Sequence, residues 1–389
     1  MAMLIREITL SNILSFGPNT EPVTLGPLNV IIGPNGSGKS NFLEAIDLLR
    51  NAPEQLFKPI REGGGIHDWV WKGAVDTKTA CVDVILANSL WPANMRYVIS
   101  FAGFAEHVHV VGERIEDEKP SDGKAEPEFY YRYTEGRSVL DVRGEKRGLA
   151  YDAIDKSRSI LAQRRDPDQY PELTFLAESL SRIRLYREWS FGRRTPPRLP
   201  QRADLPNDAL EPDFSNLGLV LNRLRRDPEV KARFLKALQE LYAGIDDFDV
   251  QIEGGTVQVF LHEGRFTVPA TRLSDGTLRY LCLLAILCHP KPPPLICIEE
   301  PELGLHPDIL PTIARLLREA SERCQIIVTT HSDVLVDAMT DTPEAVLVCE
   351  KHDGATSLRR LSAADLQPWL EKYRLGELWT RGDIGGTRW

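Results

Sequence analysis

The sequence predicts an α/β protein: a parallel sheet flanked by helices, joined to an antiparallel β subdomain and a helical insert. Three observations carry this. The apolar run Leu28–Ile32 feeds a glycine-rich octapeptide that opens a segment with Phe42, Ile46 and Leu49 at helical spacing. Two further apolar runs, 295–298 and 325–330, end in acidic or polar residues, as buried strands of a parallel sheet do. Between 79 and 142 the chain alternates apolar and polar residues with a period of two.

Taken in order, 4–10 and 23–25 read as strands ahead of the glycine-rich loop, and the helix after it is followed by a connector, 61–73, with no clear period. Strands are expected at 79–86, 95–101, 108–115, 128–134 and 138–142, with the polar turn 116–127 between the third and fourth. The stretch 173–187 begins with helical spacing and ends strand-like. Helices follow at 216–225 and 228–242, the second capped by Asp227. A hairpin of 250–260 with 265–268 turns at Gly264; then come a nearly all-apolar helix at 278–288, a strand at 295–298, an amphipathic helix at 307–323, and strands at 325–330 and 345–350. The division expected is an N-terminal lobe, 1–160, a mainly helical insert, 161–264, and a C-terminal lobe, 265–389, with both ends of the chain building one sheet. No internal repeat or long heptad run is present.

Composition narrows the function classes. A net charge of −9 over 389 residues excludes a chain that coats nucleic acid over its whole surface. The longest apolar run, 281–288, is too short to span a bilayer, so no membrane role is expected. The six cysteines form no C-x-x-C pair and most lie in apolar runs, as reduced buried thiols do, which points to the cytoplasm.

The octapeptide is Gly33, Pro34, Asn35, Gly36, Ser37, Gly38, Lys39 and Ser40, followed by Asn41. It fits G-x-x-x-x-G-K-[ST]: backbone N–H groups close around a polyphosphate, Lys39 adds charge, the Ser40 hydroxyl can hold Mg²⁺, and the helix N-terminus favours the anion. The strand Leu295-Ile-Cys-Ile delivers Glu299 and Glu300; the first is placed to hold Mg²⁺ through water, the second to orient and deprotonate an attacking water. Ser274 in Leu273-Ser-Asp-Gly-Thr277 is a good N-cap for the apolar helix, and His331 closes a buried strand where it would reach a γ-phosphate. Arg182, Arg184, Arg187, Arg193, Arg194, Arg198 and Arg202 crowd a stretch whose only acid is Glu188, interleaved with Tyr186, Trp189 and Phe191. Of these, Arg187, Arg193, Arg194 and Arg198 form a candidate patch for nucleic acid or an acidic partner, against the alternative of a solvated loop paired with carboxylates. His107 and His109 share a strand face with no third ligand in view.

The order phosphate loop, L-S-D-G-T, I-C-I-E-E-P, T-T-H-S resembles the ABC-type ATPases of the SMC and RecF kind, including stand-alone ATPases and the ATPase half of OLD-type nucleases. The opening T-L-S-N-I-L-S-F-G-P-N and the phrase E-E-P-E-L-G-L-H-P are similar to that branch and not to transporters. The resemblance implies an ABC ATPase head that binds ATP and Mg²⁺ and forms a homodimer or higher oligomer around nucleotide. Ser274, Asp275 and Gly276 would then act in trans, with Glu299 in the Walker B position, Glu300 as catalytic glutamate and His331 as switch histidine. Leu14 stands where many relatives carry a basic residue. Asp275 and Thr277 differ from the transporter-type signature and suit this branch. Gln163 is the candidate for the loop glutamine that contacts the metal. No Toprim-type acidic cluster, H-N-H constellation or long coiled coil is present. The expectation is a nucleotide-gated subunit whose output is carried by a partner such as a nuclease, the alternative being an ATPase that binds DNA or RNA itself in repair or chromosome maintenance.

Overall fold

All five side chains of the phosphate-loop strand, Leu28–Ile32, are buried, and in the computed structural model, which describes residues 3–73, 79–87, 93–105 and 107–387, this strand lies inside a six-stranded sheet. The strand order is Arg184–Tyr186, Leu295–Glu299, Gln325–Thr329, Leu28–Ile32, Val346–His352, Ala355–Arg360, parallel except for the last. Its alternating side chains divide between two cores, as a sheet covered on both faces requires. Val30, Ile32, Ile296, Ile298, Val328 and Val348 enter one core, with the helices Leu217–Leu224, Pro228–Leu241, Asp275–Leu287 and Leu310–Ser321. Ile31, Cys297, Ile327 and Leu347 enter the other, with Phe42, Leu43, Ile46 and Leu49 of the loop helix Lys39–Asn51.

The second core is closed by an eight-stranded antiparallel sheet in which Ile5–Ser11 stands between Val23–Thr24 and Thr79–Leu86. From there hairpins lead through Met95–Phe104, His107–Asp117, Phe129–Thr134, Arg137–Val142 and Glu145–Leu149. Gln325 fastens the two sheets: its buried amide accepts from Leu4 N and Ile5 N and donates to Ile5 O and Gly26 O. The connector 61–73 holds a short helix, Ile66–Trp69, whose Trp69 is buried and whose last carbonyl accepts from Leu14 N.

The stretch 161–264 contains the helices Pro171–Ser181, Leu217–Leu224 and Pro228–Leu241, but also strands, so it is not the mainly helical insert expected. Arg184–Tyr186 joins the edge of the parallel sheet, because buried Leu185 and Tyr186 find a partner in Leu295–Glu299. The expected strand 250–260 is two strands, Asp247–Glu253 and Thr256–Glu263, since Gly254 (φ 55°) and Gly255 (φ 77°) make a tight turn between them. Phe266–Pro269 and Gln201–Arg202 complete this third sheet.

Beyond His331 the chain adds the strand Ala355–Arg360 and the helices Ala363–Leu370 and Leu375–Thr380. Leu375, Leu378 and Trp379 are core residues, whereas Trp369 is 47% exposed. Trp379 Nε1 donates to Gly386 O (3.0 Å), and a Cβ on Gly386 would lie 3.6 Å from Gly33 Cα of the phosphate loop. No helix among the described residues is long and apolar enough to cross a membrane.

Candidate nucleotide-binding site

The phosphate loop is shaped from behind. Gly38 has φ 114°, and a Cβ there would lie 2.3 Å from Thr356 Oγ1; a Cβ on Gly33 (φ 153°) would lie 2.2 Å from the Cys349 carbonyl oxygen. Both positions therefore need glycine. The Thr356 hydroxyl donates to Ser37 O (2.6 Å) and lies 2.7 Å from Ser15 Oγ, which accepts from Asn41 Nδ2 at 2.8 Å. Asn35 and Gly36 form the loop's exposed tip beside half-buried Pro34, while Ser37, Gly38 and Lys39 are buried. Lys39 Nζ donates to Gly33 O (2.7 Å) and Pro34 O (3.1 Å). Burial lowers its pKa, opposed by the fields of Cys349, Glu300, Glu299 and Glu302.

At the C-terminal edge of the parallel sheet the Ser40 hydroxyl donates to Glu299 Oε1. The other carboxylate oxygen of Glu299 accepts from Arg187 Nε (2.8 Å), and Arg187 Nη2 reaches Glu44 Oε1 (3.0 Å). Glu300 follows with φ 48°, a left-handed conformation unusual for a branch-free acid, held by its N–H to Thr329 O at 3.0 Å. This turn brings Glu300 Oε1 to 3.5 Å from His331 Nε2. Burial and the nearby charge of Lys39 lower the His331 pKa against the pull of Glu300. Glu302 accepts on Oε1 from Thr330 Oγ1 (2.7 Å) and His331 N (2.8 Å), while its buried Oε2 has no hydrogen-bond partner among the described residues. Lys39, Ser40, Glu299, Glu300 and His331 thus converge on one edge, where backbone N–H groups and a cation can hold a polyphosphate and two carboxylates can manage a metal and a water.

The signature residues stand elsewhere. Ser274 caps the helix Asp275–Leu287, accepting from Thr277 N at 3.1 Å. Gly276 packs against the loop after the acidic pair, where a Cβ would lie 3.0 Å from Gly304 O. Among the described residues no hydrogen bond joins Ser274, Asp275 or Gly276 to the phosphate loop.

Three expectations are corrected. Gln163 is not at the edge where Ser40 meets Glu299: its side chain closes its own loop, accepting from Asp155 N (2.8 Å) and donating to Asp155 O (2.9 Å), Arg158 O and Ser159 O. Arg187 is no surface patch, being committed to Glu299 and Glu44. Arg198 is 7% exposed and holds backbone carbonyls and Asp275, so of the four residues of the candidate patch Arg193 and Arg194 are the exposed pair. The His107 and His109 rings lie 6.4 Å apart, and among the described residues no three His, Cys, Asp or Glu side chains gather as a metal site. Sequence reasoning missed Glu44 and Glu302. Glu44 lies one helical turn after Ser40 and was within reach of spacing alone, whereas Glu302 shows its role only once the strand ends meet.

Comparison with known proteins identifies the fold and the family. A crystal structure of an SMC head bound to the C-winged helix domain of ScpA is similar with a TM-score of 0.58 at 17% identity, covering 93% of this chain and 99% of that one. An SMC head domain with an extended coiled coil, bound to the C-terminal domain of ScpA and derived from Pyrococcus furiosus, gives 0.58 at 16%, covering 95% and 99%. The fold is therefore that of an SMC head domain. The chromosome partition protein Smc of Clostridium kluyveri (strain NBRC 12016) is 37% identical over 73 residues, 19% of this chain and 6% of that protein's length. Residues 28–337, from the phosphate-loop strand to just past His331, match the AAA domain family described as putative AbiEii toxin, Type IV TA system, and the chain belongs to that family.

Proposed function

We propose that the chain is a Mg²⁺-dependent ATPase that closes as a dimer on ATP and gates a partner protein. The observation that carries this is the convergence of Lys39, Ser40, Glu299, Glu300 and His331 on one edge of the parallel sheet. Ser40 Oγ and a Glu299 oxygen are in direct contact, a pair of hard oxygen donors that suits Mg²⁺. That ion, when bound, supplies charge neutralisation at the β- and γ-phosphates. Lys39 holds the same phosphates, Glu300 takes the proton of the attacking water, and His331, with its lowered pKa, offers a neutral imidazole to the transferred phosphoryl group. Ser274, Asp275 and Gly276 lie exposed or half-exposed, placed to complete the site of a second copy. Such closure produces motion and no other chemistry, so a separate effector, a nuclease in a defence system, would carry the output in the cytoplasm. The family's description and the ScpA-bound SMC heads support a partner-coupled reading. The nucleic-acid alternative rests on Arg193 and Arg194, the two arginines of the patch that remain exposed.

The test uses three variants. Lys39→Ala should lose nucleotide binding. Glu300→Gln should bind ATP, stop hydrolysis and accumulate dimers in light scattering. Full turnover by Glu300→Gln would overturn the assignment. Arg193→Glu with Arg194→Glu should leave affinity for DNA and its salt slope unchanged if the partner is a protein, and flatten the slope if nucleic acid binds there.

A further inference from the structure

Between the metal edge and the signature helix runs a segment, 187–198, that touches both. At its start Arg187 Nε holds Glu299 Oε2 (2.8 Å) and Trp189 Nε1 donates to the Glu299 carbonyl (2.8 Å). At its end the buried Arg198 guanidinium donates to Phe191 O (3.2 and 3.1 Å), Leu273 O (2.5 Å), Thr271 O (3.4 Å) and Asp275 Oδ1 (2.5 Å). The signature turn is thus folded around one cation. The Leu273 carbonyl immediately precedes Ser274, and Asp275 immediately follows it, so Arg198 grips both neighbours of the capping serine.

The middle of the segment is stiff. Phe214 stacks on Trp189 (5.2 Å), Phe191 (5.4 Å) and Tyr186 (6.2 Å). Arg279 of the signature helix lies 4.9 Å over the Trp189 ring and donates to the Glu300 carbonyl at 3.4 Å. A packed aromatic stack with charge-assisted bonds at both ends is a contiguous physical connection between the two, which a solvated loop would not be.

We propose that segment 187–198 is a strap coupling the acidic pair of one site to the signature loop of the same chain, with Arg198 the positioning residue for Ser274. This rests on the ATPase reading above. Because the signature serves the partner's nucleotide there, the strap lets the state of one site set the readiness of the other.

The test compares wild type, Arg187→Lys, Arg198→Lys, Asp275→Asn and the double variant Arg187→Lys/Arg198→Lys, reading fluorescent-nucleotide affinity separately from turnover. Arg198→Lys keeps the charge but cannot fork to several carbonyls. It should lower kcat by about tenfold, the scale of a lost charge-assisted hydrogen bond, and leave nucleotide affinity unchanged. Asp275→Asn alters an exposed side chain, so it folds even if Arg198→Lys does not, and should shift kcat the same way to a smaller extent. The double variant should cost less than the product of its two single effects, because both cut one connection. Wild-type turnover in both Arg198→Lys and Asp275→Asn, or equal loss of affinity and kcat, would overturn the strap. Where wild type hydrolyses ATP and Lys39→Ala does not, an overturning outcome in the strap variants counts against the strap alone; if wild type does not hydrolyse ATP, both readings fall.

Discussion

Glu302 ties the loop after the acidic pair to the backbone of His331, and burial raises its pKa against the hydrogen bonds from Thr330 and His331 N. Removing it should free the His331 backbone without touching the phosphate loop. Glu302→Ala should therefore reduce kcat with nucleotide affinity intact, and Glu302→Gln, which keeps an acceptor oxygen, should recover most of the rate in steady-state assays. Glu113 offers a pH test away from the site. Its carboxylate is buried among Tyr97 OH (2.9 Å), Ser159 Oγ (2.5 Å) and Ile160 N (2.9 Å), and burial raises its pKa from 4.5 to about 7. Between those values the folded chain holds a proton that the unfolded chain has released, so this group's contribution to stability falls as pH rises through that window and is level above about 7. Glu113→Gln does not titrate. Its Tm measured against wild type should improve from pH 5 to 7 and then stay constant; a constant gap throughout would reject the raised pKa.

At the scale of elements, the helix Leu375–Thr380 docks on Asp333–Asp337, with Gly376 N donating to Asp337 Oδ1 (2.7 Å) and Leu375 N to Thr340 Oγ1 (3.1 Å). Leu378→Ala should lower stability by about 2–5 kcal/mol in urea unfolding, the usual range for emptying a core leucine site. Elements whose own residues carry their reason were legible. Thr79–Leu86 alternates apolar and polar residues and forms over those bounds, and Asp227 caps Pro228–Leu241 by accepting from Glu229 N and Val230 N. Glu145–Leu149 was not legible: E-K-R-G-L has no apolar face and is a strand only because Arg137–Val142 offers it a ladder. The site divides the same way. The phosphate loop announces itself by glycines at fixed spacing, but Arg187 looks like one more surface arginine until the fold brings it to Glu299, 112 positions away. Gln163 failed for the converse reason, since its amide finds partners within its own loop and has no need of distant ones.

The whole molecule is two cores on either side of one sheet, and that sheet is assembled from distant parts of the chain. Leu28–Ile32 sits between Gln325–Thr329 and Val346–His352, and its Asn29 amide donates to Ile326 O across 297 positions. The phosphate loop is likewise braced by Thr356, 319 positions from Ser37. On the ribosome, therefore, the loop strand emerges early and waits. At about 5–20 residues per second, roughly 15–60 s pass before its first sheet neighbour is made. During that interval an apolar strand with both edges open is a target for chaperones and for aggregation. Nascent chains arrested before residue 325 should remain protease-sensitive around Leu28–Ile32 and fail to retain nucleotide, whereas release of the full chain should bring protection and binding together. A nucleotide-binding arrested fragment would show that the loop forms without its neighbours. For this protein, the ability to hold nucleotide would then report that synthesis has passed the strands flanking the loop, so a copy interrupted before residue 325 could take no part in the proposed nucleotide-closed dimer.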